Sequence, residues 1–282
     1  MPRNVIIFSA GALAAVTALS LGLVALVGPE AAAGLAVLGM PVPALIAILV
    51  ELGSRGLEVE RAAARTAPRP KLSAVFATGG SPRRVWVGIL LALVALLGVL
   101  GAQLLVAPAL GIVDVALPAD PAALGVAIAV QFAIMLLAAT GEELGWRGWL
   151  HTRLRPRGLV ATTVVTAGLW VAFHVPFLAV TGAMSGWQWA AALGSIAFSS
   201  VLLTALRERA GSVWPAVVGH AILNSLVLGG QQAFAAVPTD GPGMVGFQAV
   251  AWAGFLVAAA ILLRTGRREA APAARGASPQ AA

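Results

Sequence analysis

The chain has 282 residues, of which 60% are hydrophobic and only 10% are charged, and its mean hydropathy is +0.93. A soluble domain usually carries about 25% charged residues, so this composition excludes a water-soluble globular protein. The formal net charge of +7 does not indicate a nucleic-acid partner, because the basic residues lie between apolar runs and no stretch combines them with stacking aromatic residues.

Eight apolar runs follow one another along the chain, and each is long enough to cross the roughly 30 Å hydrocarbon core of a bilayer. They cover about residues 5–27, 31–52, 86–108, 122–150, 159–180, 187–206, 213–232 and 244–264. The sequence therefore predicts an all-α, polytopic membrane protein with about eight transmembrane helices. We expect one transmembrane domain over residues 1–264, followed by a disordered cytoplasmic tail over residues 265–282, which is rich in Ala, Pro, Arg and Gly.

The connections between these runs alternate in charge. On one side they contain Glu30, Asp114, Asp120 and Asp240 but no Lys or Arg. The connections on the other side, together with both ends of the chain, hold every Lys and Arg except Arg147. Because cytoplasmic loops are enriched in basic residues, this asymmetry predicts an integral protein of the cell membrane with both termini in the cytoplasm.

A few polar residues interrupt the apolar runs in the middle of the chain. An ionisable group in a membrane helix is costly, so each one is a candidate for function. The segment TGEELGWRGWLH holds Glu142, Glu143 and Arg147, the segment LWVAFHVPF holds His174, and the segment VVGHAILNS holds His220 with Asn224 one turn later. We expect one continuous helix through residues 142–147, because only then does the carboxylate lie as deep as His174.

Four-residue spacing decides which of these side chains share a helix face. Glu143 and Arg147 can pair, which offsets the cost of burying both charges, whereas Glu142 points about 100° away toward another neighbour. The same spacing relates two further pairs, Trp170 with His174 and His220 with Asn224. Three helices can thus present a carboxylate, two imidazoles and an amide to one cavity.

This set of groups suits the hydrolysis of an amide bond by water. A carboxylate beside an imidazole can take a proton from water, and a second imidazole and an amide N–H can stabilise the oxyanion that forms. The chain has no Cys, and no Ser stands in a GxSxG pattern, so covalent acyl transfer is less well supported.

The order of the three motifs resembles that of the CPBP family, which comprises type II CAAX prenyl endopeptidases and bacteriocin-processing proteins and is also called the Abi family. The resemblance covers about residues 130–230 and rests on Glu142-Glu143-x-x-x-Arg147, Trp170-x-x-x-His174 and His220-x-x-x-Asn224. The second motif often begins with Phe in the family, whereas this chain has Trp170. The resemblance implies an eight-helix intramembrane endopeptidase whose active site lies in a cavity open to the cytoplasm.

The resemblance also implies a role for each motif residue. The catalytic residues are Glu142 as the general base that activates water, His174 as its assistant, and His220 with Asn224 as the groups that stabilise the oxyanion. The supporting residues are Glu143, Arg147 and Trp170. The implied partners are membrane lipids and a peptide or protein substrate, which is membrane-associated or lipidated, such as a prenylated CAAX peptide or a leader peptide.

Two alternatives stay open at this point. Glu142, His174 and His220 could ligate zinc as one carboxylate and two imidazoles. The chain has no HExxH motif, however, and the glutamate mechanism of the family requires no cofactor, so we expect a metal-free site. The chain could also be a non-proteolytic membrane protein of the bacteriocin-immunity or scaffold type, or a transporter, in which the polar cluster forms a binding site.

Overall fold

The computed structural model describes residues 1–61, 72–180, 182 and 184–275. In chain order, the helices are α1 (Arg3–Val27), α2 (Pro29–Gly34), α3 (Val42–Arg61), α4 (Leu72–Val75), α5 (Pro82–Ala109), α6 (Pro121–Glu143), α7 (His151–Leu154), α8 (Leu159–Val180), α9 (Gly186–Ala210), α10 (Trp214–Ile222), α11 (Leu228–Phe234) and α12 (Gly241–Arg275). Short 3₁₀ turns cover Ala36–Gly39 and Arg155–Arg157, and π-helical segments cover Leu144–Leu150 and Leu223–Val227. Within the described residues, β pairing is limited to one isolated bridge between Val115 and Ala235.

Seven helices in the described part of the chain are long and apolar enough to cross a membrane. They are Arg3–Val27, Ala36–Ser54, Pro82–Ala109, Pro121–Arg157, Leu159–Val180, Gly186–Ala210 and Gly241–Gly266. A helix satisfies its backbone N–H and C=O groups internally, which lipid requires of a spanning segment. The predicted all-α, polytopic membrane fold is therefore confirmed, with seven strongly apolar helices where about eight were expected.

The remaining expected span, residues 213–232, is helical but less apolar than the others. α10, the π-helical segment and α11 join into one helical run from Trp214 to Phe234. The polar side chains of His220, Asn224 and Gln231 lie within this run and lower its hydropathy. The difference from the expectation is therefore one of composition, and it arises from the polar residues that make this segment a candidate for function.

The run from Trp214 to Phe234 lies along much of the length of α5. A Cβ atom added to Gly88 of α5 would lie 2.6 Å from Pro215, and one added to Gly230 would lie 2.7 Å from Leu100 of α5. Residue numbers rise together in the two helices, so they are parallel. The run therefore passes through about as much of the bundle as this stretch of α5, which belongs to one of the seven apolar helices.

The expected span over residues 31–52 is broken near its start. α2 is followed by a 3₁₀ turn, and α3 begins only after Pro41, because proline cannot donate the backbone hydrogen bond that a continuing helix needs. The break lies against α6 and the π-helical segment that follows it. A Cβ atom on Gly141 would lie 2.6 Å from Cα of Pro41, and one on Gly145 would lie 2.4 Å from Cβ of Pro43. These glycines therefore permit close packing of the two chain segments.

One end of the bundle collects basic residues. Arg155 Nε donates to Glu208 Oε1 at 2.8 Å, which joins the turn after α7 to the end of α9. The indole N–H of Trp214 donates to the carbonyl oxygen of Thr78 at 3.0 Å, which joins the start of α10 to the segment before α5. We call this the basic end, and its Arg residues in the described part of the chain include Arg83, Arg84, Arg153, Arg155, Arg157, Arg207 and Arg209.

The opposite end of the bundle carries acidic residues. Ser185 Oγ donates to the carboxylate of Asp240, which joins the start of α9 to the start of α12. The backbone N–H of Ala116 donates to the carbonyl oxygen of Phe234 at 3.0 Å, which joins the connection after α5 to the end of α11. We call this the acidic end, and its charged residues are Glu30, Asp114, Asp120 and Asp240.

The last helix is longer than the apolar run that predicts it. α12 continues past residue 264 to Arg275, and residues 276–282 lie outside the described residues. The disorder expected for the tail 265–282 and the domain limit at residue 264 therefore both stay predictions.

Candidate active site

The helix that carries the first motif is continuous, as predicted. It runs from Pro121 to Arg157, but Leu144–Leu150 is wound as a π-helix rather than an α-helix. A second π-helical segment, Leu223–Val227, includes Asn224. Such segments are rare and often occur at functional sites, so their position beside two of the three motifs agrees with the site that the sequence predicts.

Glu142 and His174 lie at similar depth in the bundle. Glu142 stands 15 residues before Arg157, the last residue of its helix at the basic end. His174 stands 15 residues after Leu159, the first residue of α8 at the same end. At about 1.5 Å per residue, both side chains are roughly 22 Å along their helices from the basic end.

A cavity of about 420 Å³ lies between α6, α8, α9, α12, the run formed by α10 and α11, and the stretch that joins α2 to α3. The motif residues that line it are Glu142, Trp170, His174, His220 and Asn224. The rest of its wall is apolar except for Ser195, Ser199, Gln231 and Gln248. The structure therefore brings the four residues predicted to be catalytic to one cavity, whereas Glu143 and Arg147 lie behind its wall and are 0% exposed.

Glu142 is 2% exposed and is held by the side chain of Trp170. The indole Nε1–H of Trp170 donates a hydrogen bond to Glu142 Oε2. This hydrogen bond satisfies one oxygen of the buried carboxylate and fixes its orientation. Sequence analysis identified Trp170 as the aromatic residue of the second motif but did not predict this hydrogen bond. Trp at a position where the family often has Phe could have indicated it, because the indole has an N–H donor and the phenyl ring has none.

The backbone of Trp170 also sets the state of His174. His174 Nδ1 lies 2.8 Å from the carbonyl oxygen of Trp170. A carbonyl oxygen can only accept, so Nδ1 carries the proton and Nε2 of a neutral ring has a free lone pair. The two rings meet edge to face with their centroids 5.3 Å apart. His174 can therefore accept a proton through Nε2.

Glu143 joins two of its neighbours. Arg147 Nη1 donates to Glu143 Oε1 at 2.8 Å, which is the pair that four-residue spacing predicts. His220 Nδ1 lies 2.9 Å from the same oxygen. Sequence reasoning missed this second contact, because it joins two helices whose relative placement no spacing rule gives. Glu143 therefore orients the His220 ring through Nδ1, and Nε2 is the ring nitrogen that Glu143 does not contact.

Arg147 is fully buried and is held from three directions. Besides Glu143, its guanidinium donates through Nη2 to Ser200 Oγ at 2.8 Å. Its Cζ atom also lies 4.4 Å from the centroid of the Trp170 ring, at cation–π distance. Ser200 was not predicted, since a Ser in an apolar helix has no distinguishing pattern. These contacts link α9 and α8 to the wall behind Glu142.

Asn224 is held only weakly. Its Nδ2 lies 3.7 Å from Sδ of Met135, and a thioether sulfur is a weak acceptor. The amide group can therefore exchange this contact for a stronger acceptor in the cavity, such as a carbonyl oxygen or an oxyanion.

The alternative zinc ligands come to the same cavity, but they are not grouped closely in the described residues. Glu142, His174 and His220 line the same cavity, but the described residues contain no group of three or more His, Asp or Glu side chains that could hold a metal ion. Nδ1 of each histidine is already bonded to an oxygen, and the indole of Trp170 occupies one oxygen of the carboxylate. Nε2 of both rings and Oε1 of the carboxylate are outside these contacts, so the metal-free site stays a prediction.

The stretch of chain that holds the three motifs matches a known protein family. Residues 124–226 match the family described as Type II CAAX prenyl endopeptidase Rce1-like. This stretch begins in α6, ends in the second π-helical segment and contains every motif residue of the cavity. A comparison with curated proteins gives no match. The chain is thus an integral membrane protein whose residues 124–226 resemble the Rce1-like, CAAX-type endopeptidases of the CPBP family.

Proposed function

We propose that the protein is an intramembrane endopeptidase that hydrolyses a peptide bond of a membrane-associated or lipidated peptide or protein. Water activated by Glu142 is the nucleophile, and no metal takes part. The observation that carries this proposal is the meeting of Glu142, His174, His220 and Asn224, which come from three separate stretches of chain, at the wall of one cavity.

Glu142 is suited to the role of general base. Its Oε2 accepts the indole N–H of Trp170, so Oε1 is the oxygen that takes a proton from water. The oxygen of that water then bonds to the carbonyl carbon of the substrate, and a tetrahedral intermediate forms. His174 Nε2 can relay the proton to the amine as the C–N bond breaks, which leaves a carboxylic acid and an amine.

The other two catalytic residues are suited to hold the oxyanion. Asn224 Nδ2–H can donate to the carbonyl oxygen as it becomes negative. In its doubly protonated form, the His220 ring donates from both nitrogens, so Nε2 can reach the oxyanion while Nδ1 keeps its contact with Glu143. Such donors act more strongly in a site from which water is excluded, because the local dielectric constant is low.

We also propose that both termini of this integral membrane protein lie in the cytoplasm. The charge asymmetry of the two ends supports this orientation, since cytoplasmic segments are enriched in Lys and Arg. The run from Trp214 to Phe234 supports it as well. If this run is counted with the seven apolar helices, the number of crossings is even and the two termini share one side.

Cleavage by purified protein in liposomes tests the proposed function. We expect the wild type to cut a fluorogenic peptide from a panel of prenylated, leader and membrane-anchored sequences, and a chelator to leave the rate unchanged. Glu142→Gln should lower the rate by about 10²- to 10⁴-fold, because the amide cannot accept the proton, while its oxygen still accepts the indole N–H.

The matched control is Glu30→Gln, which removes a carboxylate at the acidic end. It should cut at the wild-type rate. Wild-type-like cleavage by Glu142→Gln would rule out the assigned base, and loss of activity with a chelator would rule out the metal-free mechanism. A wild type that cuts no peptide of the panel would favour the non-proteolytic alternative.

A further inference from the structure

The cavity occupies the half of the bundle that is nearer the acidic end. Ala33 follows the end of α1 there, Leu178 lies two residues before the end of α8, and Gln231 lies three residues before the end of α11. Glu142 is 2% exposed, whereas Ala33, which lines the cavity near the acidic end, is exposed. The cavity therefore opens toward the acidic end, with the catalytic residues at its bottom.

The half nearer the basic end is tightly packed. Trp146, Leu150 and Leu206 are each 0% exposed and lie between the catalytic residues and the basic end. Phe8 stacks on Trp149 with the ring centroids 4.8 Å apart, and both rings are also fully buried. These buried side chains separate the catalytic residues from the small cavity at the basic end, which is lined by His151, Arg155 and Glu208. Within the described residues, access to Glu142 is therefore from the acidic side.

These positions make two of the expectations incompatible. The charge asymmetry puts the basic end in the cytoplasm, whereas the family resemblance implies a cavity open to the cytoplasm. A cavity that opens toward the acidic end cannot satisfy both. The asymmetry is a property of this chain, in which every Lys and Arg except Arg147 lies on the basic side or near a chain end on that side. Because such a bias sets the orientation of membrane proteins, we give it priority.

We propose that the catalytic cavity opens on the non-cytoplasmic side of the membrane, and that its substrate is a membrane-associated peptide segment that arrives from that half of the bilayer. The existence of a substrate rests on the proposed function, whereas the side on which the cavity opens does not. The outer wall is largely apolar, as Leu178 and Leu228 illustrate, which suits a segment with apolar side chains. Ser195, Gln231 and Gln248 offer the hydrogen-bonding groups that the backbone of such a segment needs.

Cysteine labelling tests the side of the opening directly, because the chain has no Cys of its own. Single cysteines are introduced as Leu228→Cys on the cavity wall, Leu117→Cys at the acidic end and Arg157→Cys at the basic end. Leu117 is 88% exposed, and Arg157 is also exposed. Cells are treated with a membrane-impermeant maleimide, either intact or after permeabilisation, and the label on each variant is measured.

Val126→Cys is the control for lipid exposure. Val126 is 66% exposed on α6 but does not line the cavity, and it lies five residues from the acidic end of its helix, much as Leu228 lies six residues from the end of α11. Maleimide reacts with the thiolate, which forms in water and not in lipid. A cysteine in a hydrated cavity should therefore take up at least about ten-fold more label than this control.

In intact cells we expect label on Leu117→Cys and Leu228→Cys but on Arg157→Cys only after permeabilisation. Label on Arg157→Cys in intact cells, with none on the other two variants, would overturn the proposal in favour of a cavity that opens to the cytoplasm. Label on Leu117→Cys without label on Leu228→Cys would overturn it by closing the cavity at the acidic end.

The labelling result does not depend on proteolysis. If the labels follow the expected pattern but no peptide is cut, the proposed function fails while the position of the opening stands. If Glu142→Gln abolishes cleavage but the labels are reversed, the proposed function stands and the non-cytoplasmic opening fails. The two proposals can therefore be rejected separately.

Discussion

The two oxygens of Glu142 have different surroundings, and this difference defines what the site can do. Oε2 accepts the indole N–H of Trp170, whereas the carboxylate as a whole lines the cavity. A hydrogen bond to a charged group contributes about 1.5–3 kcal/mol, which is enough to select one rotamer of the side chain. Under the proposed mechanism, Trp170 is therefore a positioning residue that acts through Glu142.

Trp170→Phe tests that role by removing the N–H donor while keeping an aromatic ring. We expect kcat to fall by about ten- to a hundred-fold with little change in KM, since the hydrogen bond orients the base rather than the substrate. Steady-state cleavage measures both constants. Trp187→Phe, which changes a Trp 48% exposed at the start of α9, should leave both constants unchanged. Equal losses in the two variants would refute the positioning role.

Arg147→Met tests the buried ion pair. The substitution leaves Glu143 as an uncompensated buried carboxylate, so the free energy of unfolding in detergent should fall by about 3–5 kcal/mol. The double variant Glu143→Gln/Arg147→Met should recover part of this loss. Its cleavage should stay low, because His220 no longer contacts a carboxylate. Arg157→Met changes an exposed Arg and serves as the control. Wild-type stability of Arg147→Met would contradict the importance of the pair.

For individual side chains, the sequence predicted contacts within a helix better than contacts between helices. Four-residue spacing gave the pairing of Glu143 with Arg147, which the structure contains at 2.8 Å. It could not give the contact of Glu143 with His220, which depends on how α6 and α10 pack. It also gave no reason to expect Ser200 as the second partner of Arg147.

Among the helical elements, the close approach of α3 to the π-helical segment after α6 has a simple physical cause. A Cβ atom added to Gly145 would lie 2.4 Å from Cβ of Pro43, and one added to Gly141 would lie 2.6 Å from Cα of Pro41, so only glycine fits at both positions. The packing of Trp149 and Glu51 farther along the same two segments follows from this approach, since the indole N–H donates to the carboxylate at 3.3 Å.

Gly145→Val should therefore separate the two segments. The new side chain has no room, so we expect the free energy of unfolding to fall by about 1–3 kcal/mol and cleavage to fall with it. Gly125→Val, in α6, adds the same side chain where no atom lies within 4 Å of the new Cβ. Thermal unfolding in detergent compares the two variants. If both lose the same stability, the loss reflects helix propensity rather than the contact with Pro43.

Hydropathy predicted where the long helices lie but not how they are wound. The apolar runs gave seven helices that the structure contains, because a spanning segment must be long and apolar. The break before α3 was missed, although Pro41 and Pro43 mark it. The π-helical segments have no pattern of their own in the sequence. Arg147 lies within the first segment and Asn224 within the second.

For the whole molecule, the number of crossings decides whether the two termini share one side. The run from Trp214 to Phe234 is not among the seven strongly apolar helices, yet it lies parallel to α5 over much of its length. Reporter fusions test it. We expect a reporter that is active only outside the cytoplasm to be inactive when fused after Gly211 and active when fused after Asp240. Equal activity at both positions would contradict a crossing between them.

One consequence concerns motion rather than chemistry. Trp170 binds Glu142, the proposed base, through its indole and His174, the proposed assistant, through its main chain, so a single residue holds both groups. Thermal sliding or tilting of α8 against its neighbours would carry His174 and the anchor of Glu142 together. Under the proposed mechanism, we therefore expect the distance between Glu142 and His174 to change little when the helices move apart to admit a bulky substrate.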